Sequence, residues 1–342
     1  MGRLPLPRAS VIALATLCAC GLASGAASAE GSSAPARPIV SSWQSKLLHN
    51  HPLAGKLWGT SKAAPQQVGS WDAAIAAARI VITGEVHDNA DHHAIQALVL
   101  DPLLALALRP AAVFEHLRAD QQGALDAFNA LAAERRTLDE FLKVVDWEKS
   151  GWAKYDLKPL FQAVLAAGLP IYAGDPPRDL VRKAAKEGRA ALQTEELTRL
   201  ALDIPLGEKH DNAMLTEIEE SHCGLMPKSA LGGMAFAQRL RDAYLADAAL
   251  KARERHGSAL VFAGNGHARA DRGIGWYIEK RAPGTVTVAT QLLEVEDGKT
   301  DPETYLPRDP DGNPAADYVI FTPRAARPDP CEEMRNMFKK RP

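Results

Sequence analysis

Ile80-Val81-Ile82-Thr83-Gly84-Glu85-Val86-His87-Asp88-Asn89 is the stretch that decides the fold. Its apolar and β-branched start predicts a strand buried on both faces, with Gly84 as its turn. Asp88-Asn89 then predicts the N-cap of a following helix. The same grammar repeats outward along the chain. Ala111-Ala112-Val113-Phe114, Pro170-Ile171-Tyr172-Ala173 and Ala259-Leu260-Val261-Phe262-Ala263 predict further strands, as do residues 285–295 and 318–321. Helical patterns separate the first five: 91–108 (restarted at Asp101-Pro102), 121–134, 157–167, 178–187, 194–202 and 231–255. Near-continuous apolar strands alternating with helices imply an α/β fold with a mostly parallel sheet flanked by helices. The strandless stretch 179–228 predicts a small inserted helical domain, with 120–152 as the alternative position.

The ends of the chain lie outside this pattern. Arg3 and Arg8, then apolar Val11 to Leu22, then Ala27-Ser28-Ala29 predict a signal peptide over residues 1–29. The apolar run is short for a membrane anchor. Cleavage after Ala29 is the favoured fate. Leu17-Cys18-Ala19-Cys20 also resembles a lipobox, so a lipid anchor at Cys20 is the alternative and the one membrane attachment predicted. Residues 30–42 predict a flexible tether, 43–322 the α/β domain, and 323–342 a loose tail rich in Pro, Arg and Lys.

The 342 residues include 40 Lys+Arg and 42 Asp+Glu, a net charge of −2. Losing residues 1–29 removes two arginines and no acid, which moves the charge to −4. With no basic excess, the composition argues against nucleic acid as a partner. A 46% hydrophobic, 24% charged chain is globular rather than disordered. Cys223 and Cys331 remain after processing. An oxidising compartment allows them to pair, and their spacing alone leaves that open. Without CxxC, a zinc ribbon or a thioredoxin-type site is excluded.

In an open parallel sheet, ligands bind beyond the carboxyl ends of the strands. The first strand is followed by Glu85 and His87, and the second by Glu115-His116. The third leads into Gly174-Asp175-Pro176-Pro177-Arg178, and the fourth into Gly264-Asn265-Gly266-His267. Helix caps alone would favour Asp, Asn, Ser and Thr there, not Glu and His. Glu85 and His87, two apart in extended chain, face the same way and suit a transition metal or an acid/base pair. A Glu ending an apolar strand is costly unless paired or ligated, which marks Glu115. His116 is expected on the opposite face in a structural role. Glycines bracketing Asn265 let backbone approach a ligand, with His267 at the mouth. His92, His93 and Gln96, in the early turns of the next helix, are secondary candidates, as is Asp175. Arg178 is a candidate clamp for carboxylate or phosphate. Tyr155, in Trp152-Ala153-Lys154-Tyr155, is the tyrosine best placed to offer a phenolate ligand. Neither a GxGxxG or P-loop glycine pattern nor a GxSxG elbow is present.

These residues carry a resemblance. Ile82 to Asn89 with His92, His93 and Gln96 resembles the signature of the ChaN-like haem-binding family, of the Tiki/TraB/erythromycin-esterase superfamily. His51-Pro52-Leu53-Ala54-Gly55-Lys56 resembles the family's opening segment, and Val113-Phe114-Glu115 with Asp120-Gln121-Gln122 its second-strand block. Trp152 to Tyr155 with Tyr172 to Arg178 resembles its middle block, and Gln238 to Asp242 and Gly264 to His267 its last two. The resemblance covers residues 49–322 in the family's order. Two departures stand out. Asp175 replaces an expected Asn, and Tyr244-Leu245 replaces an expected Met-Ala.

The resemblance implies an exported haem-binding protein linked to bacterial iron uptake, periplasmic or lipid-anchored in the cell envelope. It also implies an occasional homodimer and an outer-membrane haem uptake system as partner. Haem needs an apolar slot, an axial His or Tyr, and cations for its propionates, for which Arg178 and Arg269 are the candidates. On this reading Glu85, His87, Glu115, Tyr155, Arg178, Asn265 and His267 hold the cofactor, with His87, His267 and Tyr155 as candidate iron ligands. The alternative is a metal-dependent hydrolase. There Glu85, His87, Glu115 and His267 would hold a divalent transition metal or activate water.

Overall fold

Eight strands form one sheet: β1 (Leu57–Gly59), β2 (Ala64–Pro65), β3 (Ile80–Glu85), β4 (Ala111–Arg118), β5 (Ile171–Asp175), β6 (Ala259–Gly264), β7 (Thr287–Glu294) and β8 (Tyr318–Thr322). Their order is β2-β1-β8-β7-β3-β6-β4-β5. The strands from β8 to β5 run parallel, and β1 and β2 extend the β8 edge antiparallel. This computed structural model describes residues 39–339. The predicted signal peptide, Cys20, Ala29 and most of the tether lie outside the described residues. Among the described residues, no helix is long and apolar enough to cross a membrane.

Side chains alternate across the sheet. Val81, Phe114, Leu260 and Phe262 join a core with Trp71, Phe128, Phe141, Trp147 and Phe161. Ile80, Ile82, Val113 and Val261 join a second core with Leu240, Ala243 and Ala246. Because both faces are buried, neither position of the two-residue period is polar, and the strands read as continuous apolar runs. All six strands expected from the sequence are present. β1 and β2 were not expected: at three and two residues they are too short to show a period.

One local expectation is corrected. Gly84 is not a turn, because β3 continues through it to Glu85. A Cβ there would collide with Asn265 Oδ1 and lie 3.0 Å from Ala268 Cβ. Glycine is required because the loop after β6 packs directly on the strand. Asn89 caps the helix Ala90–Leu98 as predicted, its side chain accepting from the Asp91 N–H at 3.0 Å.

The longest helix, Lys228–His256, lies across the sheet and stops at Gly257, which takes the left-handed conformation of a helix C-cap. Leu245 is fully buried and fills the space that a side chain on Gly174 would need. Tyr244 donates to Glu196 Oε1 at 3.1 Å. Upstream, residues 178–228 carry the helices Arg178–Glu187, Thr194–Arg199 and Glu208–Ser221. We call the last the wall helix.

At the far edge of the sheet, β5 is closed off by side chains. Asn129 donates to the Ile171 carbonyl at 2.9 Å and accepts from the Ile171 N–H at 3.0 Å. Gln122 accepts from the Ala173 N–H at 2.8 Å.

The stretch read as a loose tail is tied down. Arg327 bonds Asp88 and Glu294, and Pro330–Lys339 is helical. Cys331 is disulfide-bonded to Cys223 at a Cα–Cα distance of 5.6 Å, which resolves the pairing that the spacing left open.

Candidate functional site

β3, β4 and β6 are neighbours, so their carboxyl ends deliver Glu85, Glu115 and Gly264 to one place. A pocket of about 610 Å³ opens there. Glu85, His87, Glu115, Tyr155, Asn265 and His267 all line it. Its size is that of a small-molecule or cofactor cleft.

Glu85 is buried at the centre of a ring of imidazoles. His87 Nδ1 lies 2.7 Å and His116 Nε2 3.1 Å from its Oε1, and His93 Nε2 lies 3.3 Å from its Oε2. Burial pushes the Glu85 carboxyl up, but the bonds from His116, His87 and His93 outweigh it and hold the group well below the usual carboxylate range. His116 therefore joins the cluster from the face of β4 opposite Glu115, where it was expected, beside Phe114 and Trp152. Glu115 and His116 leave β4 on opposite faces, Glu115 towards Arg241 of the long helix and His116 towards Glu85 and Trp152, so alternation carries one residue to each side of the site.

Glu115 is the second buried carboxylate. It accepts from the Gly264 N–H at 2.6 Å and from Arg241 Nη2 at 2.8 Å, and His267 Nε2 lies 3.3 Å away. Burial raises its pKa, but His267, His87 and Arg241 together bring it well below the ordinary value. His267 is held from both sides, with Nδ1 2.6 Å from Asp242. Desolvation disfavours its charge, yet Glu115 and Asp242 reverse that and raise its pKa, so the proton stays on the imidazole. Both of its nitrogens are thus committed to carboxylates. His87 differs. With Nδ1 on Glu85, its Nε2 stands 3.8 Å from Glu115, and its side chain is 30% exposed. A side chain on Gly264 would press on that ring at 2.9 Å, which is why glycine ends β6.

The secondary candidates divide. His93 touches Glu85 and donates from Nδ1 to the Asp156 carbonyl at 2.7 Å. His92 is an internal brace: Nδ1 accepts from the Val86 N–H at 2.8 Å, and Nε2 donates to Thr322 Oγ1 at 2.7 Å. Burial lowers its pKa to about 3, so it remains neutral. Gln96 donates to the Thr83 carbonyl at 3.1 Å. None of the three lines the pocket. The Asn265 amide is spent on β7, donating to the Leu292 carbonyl at 2.7 Å and accepting from the Leu292 N–H at 3.2 Å.

Two arginines were misplaced by the sequence reading. Arg178 is exposed at the start of its helix and does not line the pocket, and Arg269 is occupied by Asp271 and the Arg308 carbonyl. The cation that meets the buried carboxylates of the floor is Arg241, on the long helix. It bridges Glu115 to Asp175, whose Oδ1 is 2.6 Å from Nε. The Asp in place of an expected Asn is therefore neutralised. Gln238, Arg241 and Asp242 sit at i, i+3 and i+4, so one face of the helix carries them all to the site. That spacing was visible in the sequence, among other charged residues of the same helix such as Arg239 and Asp247.

The other wall is apolar. Trp152 and Tyr155 flank His87, with ring centroids 4.8 and 6.3 Å from its own. Met214 and Ile218 face them from the wall helix. The site thus joins a charged floor to aromatic and aliphatic sides.

A family model described as haem-binding uptake, Tiki superfamily, ChaN matches residues 72–278, more than half of the chain. The chain belongs to this ChaN family. The match spans β3 through β6 and so takes in every residue of the floor. A sequence search of curated proteins finds no match. Among solved structures, ChaN of Campylobacter jejuni, described for cofacial heme binding, superposes with a TM-score of 0.59. It is 19% identical and covers 77% of this chain and 95% of its own, which shows the fold. An erythromycin esterase in its open conformation matches with a TM-score of 0.42 at 13% identity, covering 80% of this chain and 99% of its own.

Proposed function

We propose that this ChaN-family protein binds haem in the pocket beyond β3, β4 and β6. The observation that carries the reading is the two-sided lining of that pocket. A porphyrin needs flat apolar walls, and Trp152, Tyr155, Met214 and Ile218 provide them. Its iron needs a donor. Of the three candidate iron ligands, Tyr155 and His87 are left to serve, because His267 is locked between Glu115 and Asp242. His87 also resembles a metal-binding histidine in that a carboxylate holds its Nδ1 at 2.7 Å, while its Nε2 faces the pocket with only a longer 3.8 Å approach to Glu115. Bound haem would supply an iron centre. The chain's own residues would orient it between the apolar walls and balance its charge. Arg241 and Arg272 line the pocket, as Arg178 and Arg269 do not, and would be the cations offered to the propionates, each already shared with carboxylates.

The wider reading is an exported haem carrier of the bacterial cell envelope, linked to iron uptake through an outer-membrane system and able to pair with a second copy. The leader at residues 1–29, cleaved after Ala29 or lipidated at Cys20, supports export. The disulfide supports an oxidising compartment. A metal-dependent hydrolase is the second reading. It rests on Glu85, His87 and His116, whose donor atoms lie within 4.8 Å of one another.

Titration of haem into the purified protein distinguishes the two. The haem reading expects a shifted Soret band that saturates near one haem per chain. It expects Tyr155→Phe or His87→Ala to change that band, and Arg178→Ala to leave it alone. Failure of haem to bind, together with chelator-sensitive hydrolysis lost in Glu85→Gln, would refute it.

A further inference from the structure

The wall helix is the weakly held side of the pocket. It supplies Met214, Glu217, Ile218 and Ser221 to the lining, with His222 just beyond its end. Its buried side chains Met214 and Ile218 join neither main core. They pack in a separate small cluster with Leu231 and the half-buried Leu215 and Met226. Its ion pairs, Glu217 with Arg272 and Lys209 with Asp311, each include a widely exposed partner. The Lys209–Asp311 pair, exposed at both ends, holds little, and the firmer tie is Glu217 to the buried Arg272, which also bonds Asp271. An element with few apolar contacts and solvent-facing ties sits at the low-stability end of a fold.

The C-terminal strap compensates. It leaves β8 and crosses the strand ends, with Asn89 donating to the Pro323 carbonyl at 3.1 Å and the Ala325 N–H donating to Glu294 at 2.9 Å. Arg327 then forks between Asp88, at 2.7 Å from both Nε and Nη2, and Glu294, at 2.7 and 2.6 Å. Asp88 is the neighbour of His87. Four residues later, Cys331 is bonded to Cys223, the neighbour of His222. The strap therefore fastens the loop that carries His87 at one end and the foot of the wall helix at the other. Among the described residues, the side-chain ion pair of the helix Pro330–Lys339 stays local, Arg335 with Asp329. The disulfide is its covalent tie to the wall. Both cysteines are half-buried, within reach of a small thiol.

We propose that the strap is a redox-releasable brace. With the Cys223–Cys331 bond intact, the wall helix is held over the strand-end cluster; reduction by a dithiol frees that wall and speeds ligand release. The chemistry is thiol–disulfide exchange. A thiolate of the reductant attacks one sulfur and expels the other cysteine as thiolate. The reductant's second thiol then displaces the first cysteine. The two cysteines end as thiols, and the dithiol ends oxidised to a disulfide. The release half rests on the haem reading, and the brace half does not.

Hydrogen exchange on the ligand-free full chain tests the brace, with and without dithiothreitol, and in the Cys223→Ser/Cys331→Ser double variant. Amides of residues 208–221 should exchange about tenfold faster or more in both reduced and double-serine protein, while β3 and β6 are unchanged. Unchanged exchange at 208–221 would overturn the brace, and so would faster exchange throughout the sheet, which would make the bond a general staple. For release, haem loss to an excess of apomyoglobin should speed up by roughly fivefold or more on reduction, in the off-rate. A freed wall with unchanged haem loss would overturn the coupling. If the oxidised protein takes up no haem at all, the haem reading fails, and the exchange data still decide the brace.

Discussion

Replacing Arg241 with Gln should cost about 3 kcal/mol of stability, and the loss should be repairable at Asp175. Arg241 is 23% exposed and bonds Glu115 at 2.8 Å and Asp175 at 2.6 Å. Removing one partner of a buried ion pair costs roughly 3–5 kcal/mol, because the other charge is left desolvated. The lower end applies. Glu115 keeps the Gly264 N–H and His267, so Asp175 is the group orphaned. Burial already raises the Asp175 pKa, with Arg241 pulling it down. Without the arginine it rises further. An acid with a raised folded-state pKa contributes stability at low pH that is lost as pH rises through that pKa. The deficit of Arg241→Gln relative to the parent should therefore shrink between pH 7 and pH 4. Thermal unfolding followed by circular dichroism measures this. At about 2 °C per kcal/mol for a chain of this size, the midpoint should fall by about 6 °C at pH 7. Adding Asp175→Asn should recover about 1 kcal/mol of the loss, whereas Asp175→Asn alone should be mildly destabilising. A variant within about 1 °C of the parent, or a double variant no better than Arg241→Gln, would refute the argument.

Two further expectations concern the supports of the site. In histidine-resolved NMR titration, His92 should stay neutral down to about pH 4, while His93 and His267 hold their protons above the ordinary histidine range. Since the folded pKa of His92 is depressed to about 3, its share of stability is complete above the unfolded value near 6.5. That share is lost at roughly 1.4 kcal/mol per pH unit as pH falls between the two; a His92 that titrates near 6.5 would show the brace is wrongly assigned. Gly84→Ala should cost about 1–3 kcal/mol in urea unfolding, because its methyl group meets Asn265. An unchanged midpoint would mean that the loop after β6 is free to move.

The sequence was most legible where burial is two-sided. β3 through β8 announced themselves as apolar runs, and a parallel sheet follows from runs separated by helices. The convergence of Glu85, His87, Glu115 and His267 followed from a rule about strand ends. What failed was direction over longer range. Arg178 and Arg269 have the right chemistry and suitable positions in sequence, yet which arginine reaches a pocket depends on helix rotation. Arg241 gained that position through the i, i+3, i+4 face it shares with Gln238 and Asp242. His116 lies on the face that strict alternation assigns; what the sequence hid is that Glu85 reaches the same face and draws it into the cluster. The wall helix carries its chemistry on a surface that no strand-end rule addresses.

The closed edge of β5 limits how copies of this protein meet. An open edge offers its N–H and C=O groups to any passing strand. Asn129 takes both groups of Ile171, and Gln122 takes the Ala173 N–H, so this rim has already been used up from within. A second copy cannot lengthen the sheet along those residues. If two copies associate, the stretch from Ile171 to Ala173 is not their seam.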